Sequence, residues 1–173
     1  LVGARRWTYA EPADGWTGMR AATRFGPACM QKSFSEDSFI FRPSDPTSED
    51  CLHLNVWSSM PSDEKLPVMV WIHGGALTRG TGVGTVYDGT ELAKKGVVLV
   101  TINYRLGVFG YLAHPELSKE SNSSGNYGTS DQIEALRWVK ANISAFGGNP
   151  ESVTIFGESA GSWSVNHLVA SPK

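Results

Sequence analysis

The apolar run Val153-Thr154-Ile155-Phe156, followed at once by Gly157-Glu158-Ser159-Ala160-Gly161, constrains this chain more than any other stretch. A short β-branched run reads as a buried strand, and G-x-S-x-G directly after it describes a sharp turn from strand to helix on which a serine stands exposed. The flanking glycines let neighbouring backbone pass close by, where a Cβ would collide. Ser159 is therefore the first candidate for a catalytic nucleophile.

Two further runs, Val68 to Ile72 and Val97 to Asn103, share this character and alternate with helical patterns. That alternation predicts an α/β fold with a mostly parallel sheet flanked by helices, and residues 52–57 read as antiparallel strand leading into it. The spacing of Ile133, Leu136, Val139, Lys140 and Ile143 predicts a helix over 130–145, capped by Thr129 or Ser130 and stopped at Gly147-Gly148. A second helix starts at the elbow and runs through Trp163, Val165, Leu168 and Val169 toward Pro172, with the positive end of its dipole at Ser159. Residues 91–95 read as a short helix closed by Gly96, and the polar stretch 118–125 as a surface loop.

The strand 68–72 ends in His73-Gly74-Gly75-Ala76. Glycine pairs make ordinary tight turns, but acyl transfer also needs such a loop, because it builds negative charge on a carbonyl oxygen. Backbone N–H groups aimed at that oxygen are worth ~2.7–4 kcal/mol each. Beside the elbow, the N–H groups of Gly75 and Ala76, with that of Ala160 just after the serine, form the expected oxyanion hole. Ala76 stands where a third glycine would be more permissive; the N–H serves provided its φ is compatible.

The stretch from Phe146-Gly147-Gly148-Asn149-Pro150 through Gly161 resembles the serine signature of the type-B carboxylesterases, the cholinesterase-like branch of the α/β-hydrolases. Glu49-Asp50-Cys51-Leu52-His53-Leu54-Asn55-Val56-Trp57 resembles that family's second signature. Asn103-Tyr104-Arg105-Leu106-Gly107, Gly125-Asn126-Tyr127-Gly128 and Asp131-Gln132 fit as well, so the likeness runs from about Arg6 to the last residue. The wording of 77–103 and 162–172 is most similar to the bacterial para-nitrobenzyl-esterase-like members. The resemblance implies an α/β-hydrolase fold, of which 1–173 would be the incomplete N-terminal portion of a single domain, and a serine esterase that forms an acyl-enzyme without cofactor or metal. It implies that Glu158 orients the histidine or the attacking water. It also implies structural ion pairs joining Arg6 to Glu49 and Arg105 to Asp131, and a disulfide between Cys29 and Cys51.

In α/β-hydrolases the triad runs serine, acid, histidine along the chain. No acidic residue follows Ser159, and the only later histidine, His167, lies about two turns along the same expected helix, out of hydrogen-bonding reach. His53 falls in a strand, His73 at the oxyanion turn and His114 in a loop before a proline, so none fits the base. The expectation is that the acid and histidine lie downstream and that these 173 residues alone are inactive. An adhesion protein of the neuroligin type is the alternative from another class, although such proteins lack the elbow serine; a truncated, inactive gene product is the third.

A net charge of -2 supplies no basic footprint for nucleic acid or an anionic membrane, so nucleic-acid partners are not expected; the resemblance implies a small-molecule ester as substrate. No run approaches the ~18 apolar residues of a membrane span. Cys29 and Cys51 read by themselves as either buried thiols or a bridge; the implied bridge would stabilise by ~3 kcal/mol in the chain-entropy model. It points to a secreted or periplasmic protein, with any signal peptide outside this chain. The segment between the cysteines contains no tryptophan to serve the choline-binding role found in cholinesterases, which argues against acetylcholine.

Overall fold

A computed structural model describes residues 1–32, 46–59 and 65–172. Strand β1 (Ala28–Cys29) pairs in parallel with β2 (Thr47–Ser48) in a small two-stranded sheet. The main sheet holds β3 (Leu54–Trp57), β4 (Leu66–Ile72), β5 (Val98–Ile102) and β6 (Gly148–Gly157) in the order β3-β5-β4-β6. All neighbours are parallel except β3, which runs antiparallel to β5.

The period of two along a strand explains why this sheet has one sealed face. Val68, Val70 and Ile72 are level with Val98, Val100 and Ile102, and all six are fully buried. On β6 the register continues with Val153, which is exposed, and Ile155, which is half-buried, so the seal thins at that edge. Each such side chain removed from water contributes about 1.5–3 kcal/mol. The cover comes from α4 (Tyr127–Asn142), with Ala135, Leu136 and Val139 facing the core, and from Ile143 just beyond it. Helix α5 (Ala160–Ala170) adds Val165 and Leu168. The short helices α1 (Thr90–Ala93), α2 (Gly107–Tyr111) and α3 (Pro115–Ser121) occupy the connections.

Two local readings are corrected. Helix α4 begins at Tyr127, ahead of the expected caps at Thr129 and Ser130; the Ser130 hydroxyl donates to Tyr127 O at 2.7 Å and accepts from Ala10 N at 3.1 Å. The reason is close packing: a Cβ at Gly128 would sit 2.5 Å from Arg105 O, so glycine lets the first turn lie against the chain after β5. The stretch expected as a loop over 118–125 begins within α3. His114 caps that helix by accepting from Glu116 N at 3.2 Å, and Asn122 closes it at φ 57°.

The N-terminal segment is fastened by a buried charge pair. Arg105 and Asp131, 3% and 1% exposed, meet through two side-chain hydrogen bonds of 2.7 and 2.8 Å, and Arg105 N adds a third at 2.9 Å. Two more guanidinium hydrogens go to Arg6 O at 2.8 Å and Thr8 O at 2.9 Å, so the arginine bonds on both sides. Burial pushes the Asp131 carboxyl up, and the guanidinium opposes that. Arg6 holds Glu49 in a two-pronged pair, 2.7 Å on each arm, and those bonds keep Glu49 below the usual carboxylate range. Cys29 and Cys51 are joined in a disulfide with Cα atoms 4.9 Å apart. Much of the segment it closes, 33–45, lies outside the described residues.

Candidate active site

Strand β6 ends at Gly157 and α5 begins at Ala160, which leaves Glu158 and Ser159 as the turn. Ser159 has φ 54° and ψ -123°, a conformation that costs a non-glycine residue about 1–3 kcal/mol and persists only where the surroundings impose it. The side chain is exposed and caps no helix N–H, so its hydroxyl is unused by the fold. The helix starts with Gly161 N donating to Glu158 O at 2.9 Å and Trp163 N to Ser159 O at 3.1 Å.

The end of β4 lies directly against this turn. A Cβ at Gly157 would approach Ile72 O to 2.6 Å, and one at Gly161 would meet Ile72 O and reach 3.0 Å from the His73 carbonyl carbon. A Cβ at Gly74 would lie 2.7 Å from Glu158 O and 3.1 Å from Ser159 Cβ. Glycines on both sides therefore let the loop after β4 lie against the Glu158 carbonyl and the Cβ of the serine. That loop then passes through Gly75 (φ 106°), Ala76 (φ 54°) and Leu77 (φ 60°) in succession. Thr78 N and Arg79 N both donate to Gly75 O, at 3.1 and 3.2 Å, and Gly107 N donates to Leu77 O at 2.7 Å.

His73 is 1% exposed and stacks on Tyr104 with ring centroids 4.4 Å apart. Its Nδ1 lies 2.8 Å from Gly74 O, and since a carbonyl only accepts, Nδ1 carries the hydrogen. Burial lowers its pKa from 6.5 to about 4, so the ring is neutral at neutral pH. Tyr104 in turn donates its hydroxyl to His73 O at 2.7 Å. This histidine is a structural wedge under the loop. His53 packs against Gly26, just ahead of β3; His114 is the cap of α3; His167 is exposed on α5. Among the described residues no histidine is left to act on Ser159, and no group of three or more His, Cys, Asp or Glu is arranged to hold a metal.

Tyr87 stands near the turn, its ring 5.0 Å from that of Trp71; burial and then the Glu158 charge push its phenol up. Sequence reasoning missed this neighbour of Glu158, and it missed Asn103. That amide accepts from Gly82 N at 2.8 Å and donates to Cys51 O at 3.1 Å and Pro27 O at 3.2 Å, tying the loop after β4 to the disulfide. A polar amide directly after a strand buried at every position was the available signal, because a buried amide requires partners.

Residues 2–173 match the model of the carboxylesterase family. The chain belongs to that family. It is 48% identical over 175 residues to fumonisin B1 esterase of Sphingopyxis macrogoltabida, a match covering 99% of this chain and 32% of that one. It is 47% identical over 172 residues to para-nitrobenzyl esterase of Bacillus subtilis (strain 168), covering 99% and 35%. Among solved structures, a thermophilic PNB esterase superposes with a TM-score of 0.89 at 44% identity, covering 99% of this chain and 35% of the other. That neighbour places the sheet and its helices in the α/β-hydrolase fold. The chain thus spans about a third of the length of the curated relatives it matches. No described helix is long and apolar enough to cross a membrane.

Proposed function

We propose that these residues form the N-terminal third of a serine carboxylesterase. Ser159 Oγ attacks the ester carbonyl carbon; the carbonyl oxygen becomes an oxyanion held by the N–H groups of Gly75, Ala76 and Ala160; the C–O bond to the alcohol breaks; and water then releases the acid from the acyl-enzyme. Ala160 is the first residue of α5, where an N–H has no partner within the helix. Glu158 supports the site beside Tyr87. The histidine that takes the Ser159 proton, and the acid that orients it, belong to the part of the relatives' length that this chain does not span. The disulfide fits a protein exported to an oxidising compartment. The substrate is a carboxylic ester, and the chemistry calls for no cofactor.

The observation that carries this reading is Ser159 itself: exposed, held at φ 54° between strand and helix, with Gly74 packed against Glu158 O and the Ser159 Cβ. The test is covalent labelling of the full-length protein with an organophosphate, followed by peptide mapping. Label on Ser159 and none in Ser159→Ala is the expected result; equal labelling of the variant would overturn the assignment.

A further inference from the structure

The loop that begins at Gly74 is closed at Gly80, and one side chain from outside the loop holds that point. Gly80 N donates to Gln31 Oε1 at 2.7 Å, and Gln31 Nε2 donates back to Gly80 O at 2.7 Å. The carboxamide pairs with the glycine's peptide much as a neighbouring strand would. The same Nε2 donates to Cys29 O at 3.0 Å, and Cys29 is bonded to Cys51. At its other end Gly80 has no freedom to shift: it sits at φ 121°, and a Cβ there would strike the His73 ring and lie 2.5 Å from Gly74 O. A continuous line of contacts therefore runs from the disulfide through Gln31 and Gly80 to His73 and Gly74, and so to Glu158 O and the Cβ of Ser159.

Such a hold has a job to do. Gly75, Ala76 and Leu77 all carry positive φ, so the loop occupies a conformation that two of the three residues resist, and it keeps that shape only if both ends are fixed. One end is the buried end of β4. The other is Gly80. We propose that Gln31 is a positioning residue for the oxyanion donors Gly75 and Ala76, with the Cys29–Cys51 bridge as its anchor. This rests on the oxyanion assignment proposed above. A carboxamide is the group the geometry requires, since it offers a donor and an acceptor side by side to the N–H and C=O of one residue.

The test uses full-length protein carrying Gln31→Leu or Gln31→Glu, with kcat and KM for a p-nitrophenyl ester and the affinity of a trifluoromethyl ketone that mimics the tetrahedral oxyanion. A misplaced donor loop weakens transition-state binding more than substrate binding, so kcat is expected to fall roughly 10- to 100-fold with KM within about twofold. Affinity for the ketone should fall by the same factor. Gln31→Glu keeps the shape of the side chain and the acceptor for Gly80 N but sets an oxygen against Gly80 O; it decides the matter if the leucine variant does not fold. A folded variant with unchanged kcat and ketone affinity, whether or not its melting temperature falls, would overturn the proposal. Adding the Cys29→Ala/Cys51→Ala pair to Gln31→Leu should lower kcat less than the two changes predict independently, because both act through one contact; independent effects would refute the anchor. Failure of the esterase reading shows elsewhere, as turnover that survives Ser159→Ala.

Discussion

The neutral, buried His73 should give the protein a measurable sensitivity to mild acid. In the folded chain its pKa is about 4, against 6.5 for a free imidazole, because burial penalises the charged ring. An unfolded chain therefore binds this proton more readily than the folded one at any pH below about 7. The histidine's contribution is complete above pH 6.5, declines as the pH falls, and is exhausted below about 4. The loss amounts to ~1.4 kcal/mol per pH unit in the steep part of that window, or about 2 kcal/mol between pH 8 and pH 5. The comparison to make is full-length protein against His73→Phe, which keeps an aromatic ring to stack on Tyr104. Equilibrium urea midpoints across pH 5–8 should show the wild type losing about 2 kcal/mol more than the variant. Equal pH slopes in the two proteins, or an imidazole signal from His73 titrating near 6.5, would refute the reasoning.

Asp131→Ala should destabilise by ~3–5 kcal/mol, since it strands a buried guanidinium, and should loosen residues 6–8; increased amide exchange there is the measurement. Gly161→Ala drives a methyl into the Ile72 carbonyl, and because backbone cannot rotate away, we expect a loss on the order of 1–3 kcal/mol together with loss of organophosphate labelling at Ser159.

The parts of the fold that were legible in the sequence are those written in periodicity. Val68-Met69-Val70-Trp71-Ile72 reads as a buried strand, and the structure alternates its burial between a sealed face and a part-covered one; Val98 to Ile102, β-branched at four of five positions, is buried at every one. Where tertiary contacts override local propensity, the reading slipped. Thr129 and Ser130 look like caps, yet α4 starts before them because Gly128 lets the turn nest against Arg105 O, a contact from more than twenty residues upstream. Ser118 to Gly125 looks like loop by composition, and its first part is helix because Pro115 at the first turn and the His114 cap start it. The site divides the same way. The elbow serine and the glycine loop are contiguous motifs and can be read. Gln31 carries no local mark: its meaning is a pairing with Gly80 across 49 positions, visible only once both are placed.

Stability and chemistry compete for the same few atoms at this turn. Gly74, Gly157 and Gly161 each stand where a Cβ would run into backbone of Ile72, His73, Glu158 or Gly161, so the approach that brings the loop to the serine is the same approach that packs β4 against β6 and α5. A side chain at any of them would part the strand end from the helix start. The conformation forced on Ser159 is maintained by that packing, and the positive φ values at Gly75, Ala76 and Leu77 by the clamp at Gly80. Strain at Ser159 and strain at residues 75–77 therefore have different main supports, one in the core and one in the disulfide-linked arm. Changes at Gly161 should weaken both fold and labelling, whereas changes at Gln31 should fall on the proposed oxyanion donors with much less effect on the core.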